Sequence, residues 1–402
     1  MTSPILKLSL SDYFDIDHDQ DLTILKPLRK IKNICILDEG LFQTAICRSQ
    51  ISQIDSERLN LQYRGRAITD LAEHWGVLDV AYLLLTGKDD NSGQFSFRRS
   101  VSTAQAGLDD LSEQLAILAP RLLPTDYLSA AVLLSRDNFS RSACLVDDRL
   151  GVTAYMFAVM AVAIATYARN HVPDTFTQPF YGRDNTFLAA FMAAALGTQT
   201  DAGALALLNK FLILHAEHGL NCSTATVRAV ASTGADPFSA VVAGIAAFKG
   251  PLHGGASENV GTMFDHIHEN SLGIPQFIDD CLNAKQRLMG FGHRIYKKTD
   301  PRATYMKALL DVDKYNFSAI APFVDICKAF NEEVTTRAYF VERGLFPNPD
   351  LFNGMLLRRA GFPSTMNTMF LCFSRMVGWL AHFYESLDDS APLIRPRELH
   401  RA

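Results

Sequence analysis

The stretch LHAEHGLNCSTATVRA, residues 214–229, followed by an apolar run and then KGPLHGGASE, residues 249–258, decides how this chain folds. His215, His218 and Asn221 recur every three residues, a spacing that puts them on one face if the helix entering through Phe211 to Leu214 continues past them. In so apolar a setting, polar side chains need partners or a purpose. Two readings stand: satisfied core histidines, or the wall of a site. His253 sits differently, after the turn signal Gly250-Pro251 and before Gly254-Gly255. Glycines there let the backbone approach a ligand closely and let a helix begin, aiming free N–H groups at an anion. A tight turn alone also accounts for the pair.

Outward from this centre the chain is mostly helical in pattern. Residues 77–85 form a compact apolar segment stopped by Gly87. Further helices are predicted over 97–118, 126–134, 152–169, 186–196 and 202–215, separated by Pro, Gly, Asp and Asn. Several are apolar on nearly every side, which requires burial among other helices. Residues 51–68 alternate instead, with Tyr63-Arg64-Gly65-Arg66 as a turn, and LKLSLSDYFDI near the N-terminus reads as one or two strands. The expectation is an all-α protein, a multi-helical fold in several layers with minor β structure near the N-terminus.

Composition narrows the function. The 402 residues suffice for two domains, and 48% apolar with 20% charged residues is ordinary for a globular protein. A formal charge of −5 supplies no basic footprint for nucleic acid. Seven scattered cysteines without a CxxC pair suit reduced thiols, and an acidic start without an apolar core is unlike a targeting segment, so a cytoplasmic protein is expected. Residues 151–168 reach the minimum length of a membrane span, yet they carry Thr153, Tyr155, Thr166 and Tyr167 and stand alone. They are read as a core helix, so no membrane partner is expected.

Arg375 stands in MNTMFLCFSRMVGW, otherwise nearly free of charge, on a helix expected to begin at Ser364 after Pro363. A charge in such a segment must be paired, and a guanidinium fork matches a carboxylate, either of the protein or of a ligand. By themselves Arg302 reads as a surface cation and Arg395 as part of an exposed tail.

Five ordered blocks carry a resemblance to the citrate synthases: HAEHGLNCST, GPLHGGA, GFGHRIYKKTDPRA (290–303), FPNPDLFNG (346–354) and RMVGWLAHFYE (375–385). Weaker similarity extends back to about residue 35. The resemblance implies a large helical domain, 1–254 with 357–402, and an inserted small helical domain, 255–356, with the active site in the cleft between them. Closure of such a cleft excludes water from a reactive intermediate.

It further implies acetyl-CoA and oxaloacetate as substrates, coenzyme A thioester serving as co-substrate with no permanently bound cofactor and no metal. Arg302, Arg375 and Arg395 would hold the carboxylates of oxaloacetate, the last reaching in from a neighbouring subunit of a homodimer or larger assembly. His215 would also contact oxaloacetate, whereas His218 is expected only to pack or hydrogen-bond. Asp350 would take the proton from the acyl methyl while His253 donates to the thioester oxygen and His293 to the ketone. Coenzyme A would lie over Arg287, Met289, Gly290 and Gly292, with Arg294, Lys297 and Lys298 near its phosphates. Two departures from the family pattern are Pro349, where Val is commoner, and Ser257, where Asn is commoner.

Rival chemistries find weaker support. His215-x-x-His218 lacks the H-E-x-x-H order of a zinc hydrolase, and Asn259 occupies the final glycine of a G-x-S-x-G elbow. Neither a Walker A nor a GxGxxG sequence occurs, so nucleotide hydrolysis and nicotinamide chemistry are not suggested. Propionyl-CoA in place of acetyl-CoA stays open, because one methylene discriminates by only about 1–3 kcal/mol. So does a non-catalytic member of the family.

Overall fold

The computed structural model describes residues 38–41, 44–140, 148–171, 187–197 and 201–398. The strand expected in LKLSLSDYFDI lies outside these residues. The chain divides into two compact units, one made of residues 1–48 and 395–402, the other of 49–394. In the first, the described residues form a turn closed by Leu41 N–H to Asp38 C=O and otherwise irregular chain. All regular elements among the described residues belong to the second.

That second unit bears out an all-α fold with a minor sheet. The sheet is a three-stranded antiparallel meander, Ser52–Asp55, Asn60–Tyr63 and Arg66–Ala67, in sequential order. Ser52 faces Tyr63 and Tyr63 faces Arg66 across the strands. The turn Arg64-Gly65 uses left-handed backbone at both residues, as the alternating pattern on either side demands. Its inward residue, Tyr63, is fully buried and reaches into the helical body.

Helix Val77–Thr86 ends where Gly87 turns left-handed and its N–H closes on the Leu83 carbonyl. The single helix expected over 97–118 is instead two, Asn91–Gln105 and Asp109–Leu118. Gly107 marks the break, a residue costing about 1 kcal/mol relative to Ala inside a helix. Asp109 and Asp110 then favour a new N-terminus, where acidic groups meet the positive end of the helix dipole.

Two long helices make the core. Arg149–His171 is long and apolar enough to cross a membrane, but 78% of its apolar window is buried inside the protein, so it serves as a core helix. Asn367–Asp388, preceded by a short 3-10 turn at Ser364–Met366, is buried along almost its whole length. Around this helix pack Val77–Thr86, Ala202–His215, Cys222–Ala231 and Pro237–Phe248. It therefore carries Arg375 into the core of this unit.

Candidate active site

Helix Ala202–His215 does not continue through the histidine motif, so His215, His218 and Asn221 do not share a helical face. The helix stops at His215, and residues 216–221 form a tight turn. Tyr63 is the physical reason: its hydroxyl accepts the Glu217 N–H at 3.1 Å and donates to the Glu217 carbonyl at 2.8 Å, satisfying groups that a further helical turn would have bonded. Gly219 takes a positive φ, and Asn221 caps the next helix, its Oδ1 accepting the Thr224 N–H at 3.1 Å.

His215 is buried, with Nδ1 2.9 Å from the Phe211 carbonyl. A carbonyl only accepts, so Nδ1 carries the proton and Nε2, which has no protein partner, is a bare lone pair. His218, expected to be a packing residue, is turned into the same pocket. Its ring lies 5.3 Å from that of His293, edge to face, and its Nε2 also lacks a partner.

Arg302 is no surface cation. Asp300 caps the helix Pro301–Leu309 and grips Arg302 through two hydrogen bonds, Nε to Oδ1 at 3.1 Å and Nη2 to Oδ2 at 2.8 Å, with both residues buried. His293 Nε2 lies 3.6 Å from Asp300 Oδ2. Its Nδ1 accepts the backbone N–H groups of Ile295 (3.0 Å) and Tyr296 (3.2 Å), so the ring proton sits on Nε2, on the side of Asp300. His218, His293 and Asp300 bring three ligand atoms within 4.8 Å of one another, a spacing a metal could use. Arg302, however, claims both carboxylate oxygens, and its charge opposes a second cation.

Arg375 is buried and donates from Nε to the His215 carbonyl at 2.7 Å. Among the described residues no carboxylate lies within ion-pairing distance of it; the buried Glu217 carboxylate favours its charge from further away. The guanidinium rests over Phe248, 5.7 Å from the ring centroid, and Phe248 packs 4.5 Å from the His253 ring. Gly254 is required here, since a Cβ would collide with the Phe248 ring. The expected helix does begin after it, over Gly255–Glu269.

His253 Nε2 is 3.0 Å from Ser223 Oγ, which also receives the Trp379 indole N–H at 3.1 Å. The single Ser223 proton serves either Asn221 Oδ1, at 2.7 Å, or His253 Nε2. In the second arrangement the His253 proton is on Nδ1.

Asp350 opens the helix Asp350–Arg359. Asn348 positions it: Oδ1 accepts the Asp350 N–H at 3.0 Å, Nδ2 donates to the Gly292 carbonyl at 3.0 Å, and the Asn348 N–H bonds to the Gly290 carbonyl. One asparagine thereby ties the aspartate to the 290–292 loop, where Gly290 and Gly292 both have positive φ. Met289 and Gly292 are half-buried and Gly290 is buried, while Arg287, Arg294, Lys297 and Lys298 are exposed along one short segment.

Electrostatics divide the titratable groups. Burial, reinforced by Arg302, lowers His215 to about 3 and His293 to about 4; burial and Arg375 lower His253 to about 4; His218 is also driven well down, first by burial. All four are neutral at pH 7. Asp350 moves the other way, burial pushing it up to about 7 against the pull of Arg302. The result is a pocket with two buried arginines, neutral imidazoles and one carboxylate poised to exchange a proton.

A buried network behind this pocket went unseen in the sequence. Glu217 Oε1 faces His382 Nε2 at 3.2 Å, and Arg228 bonds both His382 Nδ1 (3.0 Å) and Glu385 Oε2 (2.9 Å). Its members are far apart in the chain, so only the i, i+3 spacing of His382 and Glu385 hinted at it. Arg395 is exposed and lies in the other compact unit.

Residues 40–397 match the family model described as citrate synthase, C-terminal domain. Citrate synthase of Dictyostelium discoideum is 33% identical over 384 residues, covering 91% of this chain and 74% of the relative. Citrate synthase 1 of Mycobacterium tuberculosis is 33% identical over 390 residues, covering 94% and 89%. Among solved structures, citrate synthase of Thermoplasma acidophilum in ternary complex with carboxymethyl coenzyme A and oxaloacetate superposes with a TM-score of 0.80 at 27% identity, covering 91% of this chain and 96% of that one. The Thermotoga maritima citrate synthase gives a TM-score of 0.76 at 28% identity, with the same coverage.

Proposed function

The chain belongs to the citrate synthase family, and from that premise we propose that it is an acyltransferase condensing acetyl-CoA with oxaloacetate, then hydrolysing the citryl-CoA formed to citrate and CoA. One observation carries the reading: Asp350 is buried at the start of its helix, tied by Asn348 to the 290–292 loop and held in the field of Arg302 and Asp300.

Oxaloacetate is a small dianion. Arg302, already fixed by Asp300, and Arg375, fixed by the His215 carbonyl, supply oriented positive charge at no cost in reorganisation when it binds. His218, packed edge to face on His293, would stand beside His215 on the wall of this pocket. In an assembly, Arg395 of a second copy would complete the cation set. The His293 Nε2–H would polarise the ketone, and a neutral imidazole donor is what a lowered pKa provides.

The acyl methyl is a very weak carbon acid. Asp350 removes its proton while a His253 ring N–H, on Nδ1 when Ser223 gives its proton to Nε2, stabilises the developing enol oxygen. The nucleophilic carbon then attacks the polarised ketone, and water cleaves the citryl thioester. Coenzyme A would lie over the 287–292 loop, with its phosphates toward Arg294, Lys297 and Lys298. We also propose that 255–356 closes on the rest as the small domain, and that the free thiols of Cys47, Cys222, Cys281, Cys327 and Cys372 fit a cytoplasmic setting.

Free-thiol release from acetyl-CoA and, separately, propionyl-CoA, each with oxaloacetate, tests this. Preference for acetyl-CoA, abolished in Asp350→Ala, is the expected result. Preference for propionyl-CoA would reassign the product to 2-methylcitrate and keep the mechanism. Silence with both thioesters, from folded protein, would overturn the enzyme reading in favour of a binding role.

A further inference from the structure

The side chain of Asn353 is fully buried one turn along the helix from Asp350. Both hydrogens of its amide are spent: Nδ2 lies 3.2 Å from Asp350 Oδ1 and 3.1 Å from Ser257 Oγ. A flipped amide would set its oxygen against the carboxylate, so the orientation is dictated by chemistry. Ser257, also fully buried, belongs to the first turn of helix Gly255–Glu269, four residues past His253, and its carbonyl accepts the Asn367 amide at 3.2 Å. One side chain thus spans from the proposed base to the helix that starts beside the proposed enol-oxygen donor.

We infer that Asn353 is a positioning residue: anchored on Ser257, its amide holds the Asp350 carboxylate at a set distance from the His253 loop and stabilises its ionised form. This rests on the reading of Asp350 as the base. It also gives the Ser257 departure a physical meaning. With the two side chains already in hydrogen-bond contact, the asparagine commoner in the family at 257 would bring a second amide into the space that Asn353 fills. The chain keeps one amide and one hydroxyl between the two helices.

The other groups that bear on Asp350 are few. The start of helix Pro301–Leu309 contributes Arg302, which favours its charge, and Asp300, which opposes it. Helix Ala321–Thr336 contributes the neutral Cys327 thiol, bonded to the Leu351 carbonyl, and helix Ala202–His215, which packs on the Asp350 helix, ends in the neutral His215. Glu258, beside Ser257, is engaged by Thr368. Among these the Asn353 N–H is the one direct hydrogen bond to the Asp350 side chain.

The test is the pH profile of thiol release by the full-length protein, for wild type, Asp350→Ala, Asn353→Leu and the exchange Ser257→Asn with Asn353→Ser, each checked for folding by thermal melting. Removing a donor to the charged form raises a carboxylate's pKa, so Asn353→Leu should move the acid limb up by about 0.5–1 pH unit and lower kcat about tenfold, with KM for oxaloacetate within about twofold. A residue that only packs would leave the acid limb where it was. The exchange should return both limb and rate toward wild type, whereas Ser257→Asn alone should impair the protein by overpacking. An unmoved acid limb in folded Asn353→Leu overturns the inference and leaves the base assignment intact. Should Asn353→Leu fail to fold, Ser257→Ala, which deletes only the anchoring oxygen, must show a smaller shift in the same direction, and no shift overturns the inference. A silent wild type, or an Asp350→Ala as active as wild type, removes the underlying reading as well.

Discussion

The pocket around Arg302 and Arg375 and the segment 287–298 both present cations, yet they are built on opposite principles. In the pocket each cation is buried on a helix and locked by the protein before any ligand arrives, Arg302 by a two-point grip on Asp300 and Arg375 by the His215 carbonyl. Along 287–298 the cations are exposed and follow one another on irregular chain. Buried, preorganised charge gives direction as well as attraction and resists salt. Exposed charge attracts without fixing geometry and is screened beyond about 8–10 Å at ordinary ionic strength. The first suits a small dianion that must be oriented for carbon–carbon bond formation; the second suits mobile phosphates on a long co-substrate.

The sharpest break of that contrast is at Asp350, the one carboxylate the pocket tolerates near-neutral. Asp350→Ala should lower kcat by on the order of 10²–10⁴ while the melting temperature holds, measured by thiol release and calorimetry. In the same profile, activity should fall as pH drops through about 7, where Asp350 gains its proton, with no limb from His293 or His253 until near pH 4.

Next in size is the grip itself. Asp300→Ala leaves Arg302 buried and unpaired, a change that typically costs about 3–5 kcal/mol, and should raise KM for oxaloacetate with a large drop in chemical-denaturation midpoint. An unchanged midpoint would show that the pocket arginine is not held as its hydrogen bonds indicate.

Stability should also carry the mark of Asp350. Its folded-state pKa lies above its unfolded value, so the folded state is favoured with the proton on, and that contribution is lost as pH rises through about 7. Asp350→Asn should therefore melt higher than wild type at pH 8, with the gap closing below about pH 4. Equal melting temperatures at pH 8 would argue that the carboxylate is better solvated than its position implies.

The smallest effect belongs to the exposed segment. Lys297→Ala with Lys298→Ala should raise KM for the acyl-CoA only a few-fold, more at low salt than at high salt, and leave KM for oxaloacetate alone. A salt-independent loss would move these lysines into the preorganised class.

Much of this was legible in the residues. Helices apolar on every side forced a many-helix core, alternation through Tyr63 gave the meander, and a lone Arg375 in an apolar helix announced a buried cation with a task. The break at Gly107 was legible too, in the two aspartates that follow it. What local pattern misplaced was the histidine motif, because three-residue spacing speaks for a helix until Tyr63, some 150 residues earlier, ends it. The network of Glu217, His382, Arg228 and Glu385 joins three distant parts of the chain, and only the i, i+3 spacing of His382 and Glu385 is a local signal of it.

The sequence by itself determined the classes of side chain, the helical architecture and, through five ordered blocks, the family. Only the tertiary structure decided where the ring protons of His215 and His293 sit, that Arg302 is gripped by Asp300, and that burial lifts Asp350 to about 7. The physical reason is that residue type and period are local properties, whereas proton placement and pKa are set by burial and by partners brought together from distant parts of the chain.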